Sequence, residues 1–295
     1  MNDTARSQRG TLFVEEAEIL SHQGFEGGQF MLRLLAPKCA AHARPGSFAH
    51  IRVDPQRPLR RPLSIMRADA QAGWVEFLYK VVGEGTRLLA RRQPGEQLNI
   101  LGPIGRPFEP HRERPRALLL GGGVGMPPMI CLAEMLKADA HWQPLALLAS
   151  EVPFPFRHRP SQILVPGLPD GVIASMPLLE DWGVPCRLAS QRELPGVYQG
   201  YITELARDWL AALSTEHRRQ VEIFACGPHP MLEAVAALAR EYDLPAQVSL
   251  EEFMACGVGG CAGCTVAVET PAGPAMRRVC VDGPVFDARE VFPAA

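Results

Sequence analysis

Four cysteines near the C-terminal end of the chain have a spacing that can hold an iron–sulfur cluster. Cys256, Cys261 and Cys264 form the pattern C-x4-C-x2-C, and Cys280 follows further along the chain. This is the plant-type spacing of a [2Fe–2S] cluster bound by four thiolates. Glycines between the first three cysteines supply the backbone angles that a short loop needs to carry three thiolates round one cluster. A hairpin over 265–279 can return the fourth thiolate to the loop.

Two other uses of clustered cysteines compete with this interpretation. A structural zinc site usually has two C-x2-C pairs, and here only Cys261 and Cys264 have that spacing. A disulfide framework is typical of short secreted chains, whereas this chain has 295 residues and a polar start, 1–10, without the apolar core of a signal peptide. The sequence therefore favours the iron–sulfur site and leaves a zinc site as the alternative.

Composition restricts the class of protein. A length of 295 residues is enough for two ordinary domains and a small appendage. The net charge of −2 argues against a nucleic-acid-binding protein. No apolar run approaches the length of a membrane-spanning helix, so no contact with a membrane is expected. Free thiols without a secretion signal predict a cytoplasmic protein.

The segment 10–110 is predicted to form a small antiparallel β-barrel, because short runs of strand-forming residues alternate with Gly and Pro. The candidate strands are 11–20, 29–36, 47–53, 63–67, 74–82 and 97–101. Arg61 before Pro62 can grip a pyrophosphate, and Ser64 can form a hydrogen bond with the edge of an isoalloxazine, although a solvated surface turn explains these residues equally well. Thr86 is expected to cap a short helix whose N-terminus attracts phosphate.

The segment 111–250 is predicted to be an α/β domain with a mostly parallel sheet, because strand and helix patterns alternate along it. The candidate strands are 117–120, 144–149, 184–189, 221–225 and 246–250, and the candidate helices end near 138 or span 175–182, 201–213 and 229–241. Two turns at the carboxyl ends of strands are candidate nucleotide contacts. They contain Gly121, Gly122, Gly123 and Gly125 in one turn, and Cys226, Gly227 and Pro228 in the other. The dinucleotide fingerprint G-x-G-x-x-G is absent, because Met126 occupies the position where its last glycine would be.

Taken in order, these motifs resemble those of the ferredoxin–NADP reductase superfamily. The motif over 251–295, predicted to be a [2Fe–2S] domain, resembles that of the electron-transfer subunits of class 1B dihydroorotate dehydrogenases, and the likeness spans roughly 11–287. The resemblance implies a β-barrel flavin domain followed by an α/β nucleotide-binding domain. It assigns the FAD contacts to Arg61, Pro62, Leu63, Ser64, Leu78, Tyr79, Lys80, Gly85 and Thr86, and the cluster ligands to Cys256, Cys261, Cys264 and Cys280.

The function that the resemblance implies is electron transfer between NAD(H), FAD and a [2Fe–2S] cluster, with no acid or base on the chain. The expected partner is an FMN-containing dihydroorotate dehydrogenase catalytic subunit of pyrimidine biosynthesis, joined in a heterotetramer. One departure from the family is the segment 153–181, which looks longer than usual. Two alternatives therefore stay open: an NAD(P)H reductase component of an oxygenase or hydrogenase, and a zinc-stabilised binding module without a redox role.

The expected nucleotide is NADH rather than NADPH. Glu151 follows the second strand of the α/β segment, where an acidic group favours a ribose 2′-hydroxyl and repels a 2′-phosphate. Arg157 and Arg159 lie close by in the sequence and would act in the opposite direction.

Overall fold

The computed structural model describes residues 11–294, and the polar stretch 1–10 lies outside them. Internal contacts divide the described chain into two compact units. One contains 11–107 and 249–285, and the other contains 108–248 and 286–294. The cysteine segment thus shares a compact unit with the N-terminal part of the chain. The division into three domains at 10–110, 111–250 and 251–295 stays a prediction.

The first unit contains a closed barrel of six strands. They are β1 (Phe13–Phe25), β2 (Gln29–Leu35), β3 (Phe48–Arg52), β4 (Arg61–Asp69), β5 (Trp74–Lys80) and β6 (Gln97–Ile104). The strand order is β1-β2-β5-β4-β3-β6, and the six antiparallel pairs close the ring. Alternate residues such as Ile19, Leu34 and Phe77 point into an apolar core, which is why short alternating segments form this fold. The predicted barrel is therefore confirmed.

Two short helices connect barrel strands, α1 (Pro37–His42) and α2 (Glu84–Leu89). Thr86 caps α2 as expected, although from the third helical position: Gly83 is the N-cap residue, and the Thr86 side chain closes a capping box with it. The Thr86 hydroxyl accepts hydrogen bonds from the backbone N–H groups of Val82 and Gly83 and donates to the Gly83 carbonyl. It therefore fixes the turn before the helix from within the first helical turn.

The second unit is built on a seven-stranded sheet with the order β12-β11-β8-β7-β13-β14-β17. Its strands are β7 (Arg116–Gly122), β8 (Leu145–Ala149), β11 (Cys186–Ser190), β12 (Tyr198–Gln199), β13 (Val221–Cys226), β14 (Ala246–Ser249) and β17 (Val285–Asp287). Its helices are α3 (Met126–Leu136), α4 (Pro177–Asp181), α5 (Ile202–Ala212), α6 (Thr215–Arg219), α7 (His229–Glu241) and α8 (Ala288–Val291). The central strands pair in parallel, as alternating strands and helices predict.

The segment 153–181 is mostly irregular but has an ordered anchor. It contains two short strands, β9 (Arg159–Pro160) and β10 (Ala174–Ser175), which pair with each other. The buried guanidinium of Arg187 donates to the carbonyls of Val172 and Ile163 at 2.9 and 2.7 Å. A cation on the sheet therefore holds the backbone of this segment through its carbonyl dipoles.

The cysteine segment ends in a hairpin of β15 (Thr265–Thr270) and β16 (Gly273–Arg278), in which Thr265 pairs with Arg278. This is the hairpin that the spacing of the cysteines requires. None of the helices within 11–294 is both long enough and apolar enough to cross a bilayer.

Candidate cofactor sites

The loop between Cys256 and Cys264 already turns backbone N–H groups towards sulfur. Cys256 Sγ accepts hydrogen bonds from the N–H groups of Val258 and Cys261, each at 3.4 Å. Burial acts to raise the pKa of the Cys256 thiol, but these amide donors, together with the Cys261 thiol and the N–H of Gly260, outweigh it and lower the pKa to about 7. The loop therefore favours a thiolate, which is the form that binds a metal.

The hairpin brings the last two cysteines together. The Cys264 thiol donates to Cys280 Sγ at 3.3 Å, and both residues are buried. Burial, and after it the bond from Cys264, raises the pKa of Cys280 to about 12. Within 11–294 no three His, Cys, Asp or Glu side chains converge closely enough to hold a metal ion.

Arg278, at the end of β16, supports the loop from the hairpin. Its Nη1 donates to the carbonyl of Gly259 at 3.0 Å, and its Nε lies 3.6 Å from Asp282 Oδ2. Gly259 has a φ of +81°, and a Cβ there would lie 2.5 Å from the Val281 side chain. A glycine is therefore required where the loop and the hairpin meet.

The cysteine loop also packs against barrel strand β3. A Cβ on Gly257 would lie 2.7 Å from Nδ1 of His50, so only a bare backbone lets the loop approach the ring. Burial, and after it the charges of Arg60 and Arg61, lowers the pKa of His50 to about 4, so the ring is neutral near neutral pH. Sequence reasoning missed His50, whose only signal is a histidine within an otherwise apolar start of a strand.

Two parts of the predicted flavin site meet in the structure. A Cβ on Gly85 would lie 2.2 Å from Nε of Arg61, so the guanidinium of β4 crosses the bare backbone of α2. Arg61 donates to the carbonyls of Leu59 and Arg60 at 3.1 Å, and among the described residues it forms no ion pair with an acid. Within 11–294 the Arg61 guanidinium therefore keeps its positive charge unpaired beside the backbone of Gly85, where it can form charge-assisted hydrogen bonds with a pyrophosphate.

The other predicted flavin contacts lie on neighbouring strands of the same barrel. Ser64, on β4, is half-buried and pairs with Phe48 of β3. Tyr79, on β5, is buried, its pKa is raised by burial, and its hydroxyl lies 2.9 Å from Nε2 of His22. Leu78 is buried beside Tyr79, whereas Lys80 ends the strand and is half-buried. Contact of each of these residues with FAD stays a prediction.

The two predicted nucleotide turns come together at the carboxyl ends of adjacent strands. Cys226 lies opposite Gly121 in the parallel pair of β13 and β7. A Cβ on Gly125 would lie 2.3 Å from the Cys226 carbonyl, and one on Gly122 would lie 2.4 Å from Sδ of Met231. The bare backbone of these turns is therefore needed for the two strand ends to pack, which leaves N–H groups at the edge where open α/β sheets bind ligands.

The acidic group at the end of β8 is free to meet solvent. Glu151 is exposed and follows the buried Ser150. Of the two arginines that would oppose it, Arg159 forms an ion pair with Asp181, whereas Arg157 is exposed. The positive charge of Arg159, which would favour a 2′-phosphate, is thus partly neutralised by Asp181.

Two family models match the chain in the regions just described. The model "Oxidoreductase FAD-binding domain" matches 12–108, and the model "Iron-sulfur cluster binding domain of dihydroorotate dehydrogenase B" matches 251–292. The chain therefore carries a flavin-binding domain and, towards its C-terminal end, an iron–sulfur binding domain.

Curated relatives match most of the chain. It is 32% identical over 253 residues to the dihydroorotate dehydrogenase B (NAD(+)) electron transfer subunit of Shouchella clausii (strain KSM-K16), covering 84% of this chain and 86% of the relative. The chain belongs to this family of electron transfer subunits. The family member of Desulforamulus reducens is 30% identical over 282 residues, and the match covers 94% of this chain and 98% of that relative. The predicted family is thereby confirmed.

Solved structures share the fold. A chain of the NADH-dependent reduced ferredoxin–NADP oxidoreductase, an enzyme described in terms of flavin-based electron bifurcation, superposes with a TM-score of 0.74 at 26% identity, covering 94% of this chain and 90% of that one. The ferredoxin reductase of carbazole 1,9a-dioxygenase superposes with a TM-score of 0.57 at 21% identity, covering 78% and 65%. The similarity to the carbazole 1,9a-dioxygenase reductase shows only that the two proteins share a fold. The predicted ferredoxin reductase-like fold class is confirmed.

The residues present fit both cofactors that the family models describe. For the cluster, amide donors already face Cys256 and the hairpin has already brought Cys280 to Cys264. For FAD, the guanidinium of Arg61 over Gly85 supplies a cation without an acidic partner among the described residues. These groups would hold the cluster through thiolates and the flavin through its phosphates.

We predict that serine in place of any of the four cysteines removes the cluster but leaves the flavin. Cys256→Ser, Cys261→Ser, Cys264→Ser and Cys280→Ser should each lose most of the iron, because a hydroxyl is a poor ligand for this cluster. Iron and flavin analysis of the purified variants measures both, with Cys131→Ala, which lies in α3, as the control that keeps its iron. A variant with full iron would remove its residue from the ligand set.

We predict that Arg61→Ala weakens FAD binding more than Ser64→Ala does. A charge-assisted contact with phosphate is about twice as strong as a neutral one, so we expect about a tenfold or larger rise in the FAD dissociation constant for the arginine variant. Flavin fluorescence during titration of flavin-free protein gives the constants. Arg57→Ala removes a nearby exposed arginine that pairs with Glu84 and should bind FAD normally. Full flavin retention by both Arg61→Ala and Ser64→Ala would show that this stretch is not the flavin site.

We predict that the protein oxidises NADH in preference to NADPH, by about tenfold or more in kcat/KM with a dye as acceptor. Glu151→Gln should narrow this preference because it removes the charge that repels a 2′-phosphate. Glu193→Gln, at another exposed site in the same unit, should leave it unchanged. Steady-state rates with both nucleotides decide the matter, and a clear preference of the unaltered protein for NADPH would contradict the assignment of Glu151.

Proposed function

We propose that this chain passes electrons between NAD(H), FAD and a [2Fe–2S] cluster, and from there to or from an FMN-containing dihydroorotate dehydrogenase catalytic subunit of pyrimidine biosynthesis. The observation that carries the proposal is the packing of the cysteine loop on the flavin barrel. Gly257 contacts His50 on β3, and β3 pairs with the strand that bears Arg61 and Ser64. The predicted flavin residues and the cluster ligands thus lie on one compact unit.

The chain's own residues bind and place the two cofactors. When bound, FAD would supply hydride chemistry with the nicotinamide and the conversion between electron pairs and the single electrons that a [2Fe–2S] cluster takes. Arg61 would bind the flavin phosphates, and Ser64 would orient the ring edge. Leu78, whose side chain is buried on the face opposite to the barrel core, would keep water from it, whereas Tyr79 packs in the core with its hydroxyl fixed by His22. No residue is proposed to act as an acid or base.

The surface of the cluster segment suits a protein partner. Cys261 is exposed, and Phe253, Val258 and Met276 nearby in the sequence expose 93%, 48% and 67% of their surface. Large exposed apolar side chains beside a redox site favour docking of another protein over reaction with a small molecule. A heterotetramer with two copies of each chain, located in the cytoplasm, is the assembly that we propose.

A second candidate is a reductase component of another oxidoreductase with the same cofactors. It is favoured by the likeness to the chain of the reduced ferredoxin–NADP oxidoreductase, which spans nearly the whole length of both chains. The zinc-stabilised module has no such support, because the C-terminal match is to an iron–sulfur binding domain.

We predict that the isolated chain reduces dyes with NADH but does not convert dihydroorotate to orotate. Addition of the dehydrogenase subunit encoded in the same genome should produce NAD-dependent orotate formation. Cys261→Ser should abolish this coupled activity while the dye activity, which draws on the flavin, largely persists. Orotate absorbance and dye reduction are measured on the same preparations.

Two outcomes would count against the proposal. One is dihydroorotate oxidation by the isolated chain. The other is failure of the catalytic subunit to bind the chain in size-exclusion chromatography, which would favour the second candidate. In that case the segment 153–181 would be the first surface to test for a different partner.

A further inference from the structure

His50 lies on the outer face of the barrel and yet is buried. Its neighbours on β3, Ala49 and Ile51, point into the barrel core, so by the two-residue period of a strand His50 points away from that core. An outward side chain of a barrel normally meets solvent, but His50 is 0% exposed. Something other than the barrel therefore covers the ring.

The cover is the loop that carries the cysteines. Gly257 follows Cys256 directly, and a Cβ on it would lie 2.7 Å from Nδ1 and 3.0 Å from Cε1 of the His50 ring. Its φ of +69° lies in the left-handed region that favours glycine, so both the conformation and the space demand a bare backbone here. One edge of the ring therefore lies directly against the start of the cluster loop.

The ring nitrogens of His50 have no hydrogen-bond partner within the described part of the chain. The other histidines for which bonds are seen behave differently. His22 contacts Tyr79, His42 contacts the carbonyl of Lys38, and His111 contacts Glu222. A buried imidazole has at least one N–H in either protonation state, and such donors almost always find an acceptor. The orphaned donor therefore points to an acceptor that this chain alone does not supply.

We propose that His50 donates a ring N–H to the sulfur of the cysteine-bound iron–sulfur cluster and so positions and tunes it, an inference that rests on the proposed cluster function. Sulfur held by iron is an electron-rich acceptor, and a hydrogen bond to it stabilises the more negative, reduced state. The neighbouring cations Arg60 and Arg61 offer no acceptor to the ring. His50 would thereby connect the flavin-binding barrel with the cluster as a positioning residue.

The test compares His50→Leu, which fills similar space without a donor, with His50→Gln, which keeps an N–H donor. The midpoint potential of the cluster is measured in the intact, cofactor-loaded protein by redox titration followed by electron paramagnetic resonance. At a fixed potential we expect about a tenfold lower ratio of reduced to oxidised cluster in His50→Leu, equivalent to about 59 mV for a one-electron couple. His50→Gln should lie close to the unaltered protein.

A second measurement gives a signature that a merely structural role would not produce. In protein labelled with ¹⁵N-histidine, pulsed electron paramagnetic resonance of the reduced cluster should detect a histidine nitrogen that is magnetically coupled to the cluster. The coupling should disappear in His50→Gln and persist in His42→Gln, a control whose exposed ring bonds to its own helix. This measurement needs only the unaltered protein and two donor-retaining variants, so it stands even if His50→Leu fails to fold.

The outcomes separate this inference from the proposed function. If the unaltered protein holds no iron–sulfur cluster, the proposed function itself is wrong. If the cluster is present but no histidine nitrogen is coupled to it, or His50→Leu leaves its potential unchanged, only the role of His50 is wrong. A shift of the flavin potential without a shift of the cluster potential would also overturn it, because the ring would then serve the flavin.

Discussion

The close approach of the cysteine loop to the flavin barrel is the constraint on which the rest of the first unit depends. The C-terminal part of the first unit contacts the barrel through bare backbone at two places, one in the cysteine loop and one after Cys280. Gly257 faces His50 of β3, and Gly105, with a φ of +96°, faces Pro284, where a Cβ would lie 2.3 Å from Pro284 Cδ. Beside the second contact the N–H of Arg106 donates to the Gly283 carbonyl. A segment distant in sequence thus becomes part of the barrel's own compact unit.

This packing explains how a loop rich in glycine and sulfur can be held in one place. The loop itself contributes little apolar surface, so its order comes from neighbours on both sides: the barrel strand β3 and the hairpin that ends at Arg278. The guanidinium of Arg278 donates a hydrogen bond to the carbonyl of Gly259, and two backbone N–H groups of the loop donate hydrogen bonds to Cys256 Sγ. These contacts hold the loop and the hairpin that carry the predicted ligands.

The same physical device recurs in the second unit. Gly122 and Gly125 bring the end of β7 against the Cys226 turn, just as Gly85 lets Arg61 cross α2 in the barrel. In each case a missing side chain allows backbone or a charged group to come close to another segment. Glycines thus occur at close backbone approaches in each of the predicted cofactor sites.

The cysteine spacing, the Arg61–Ser64 motif and the alternation of strands and helices are local patterns, so the amino-acid sequence by itself determined the family, the fold class and the expected cofactors. Thr86 caps the short helix α2, but its position as the third helical residue depends on backbone angles that the local sequence does not specify. The burial of His50, the meeting of Arg61 with Gly85, and the pairing of Cys264 with Cys280 were decided only by the tertiary structure. They join residues far apart in the chain, and such contacts depend on how whole segments pack rather than on any periodicity within one of them.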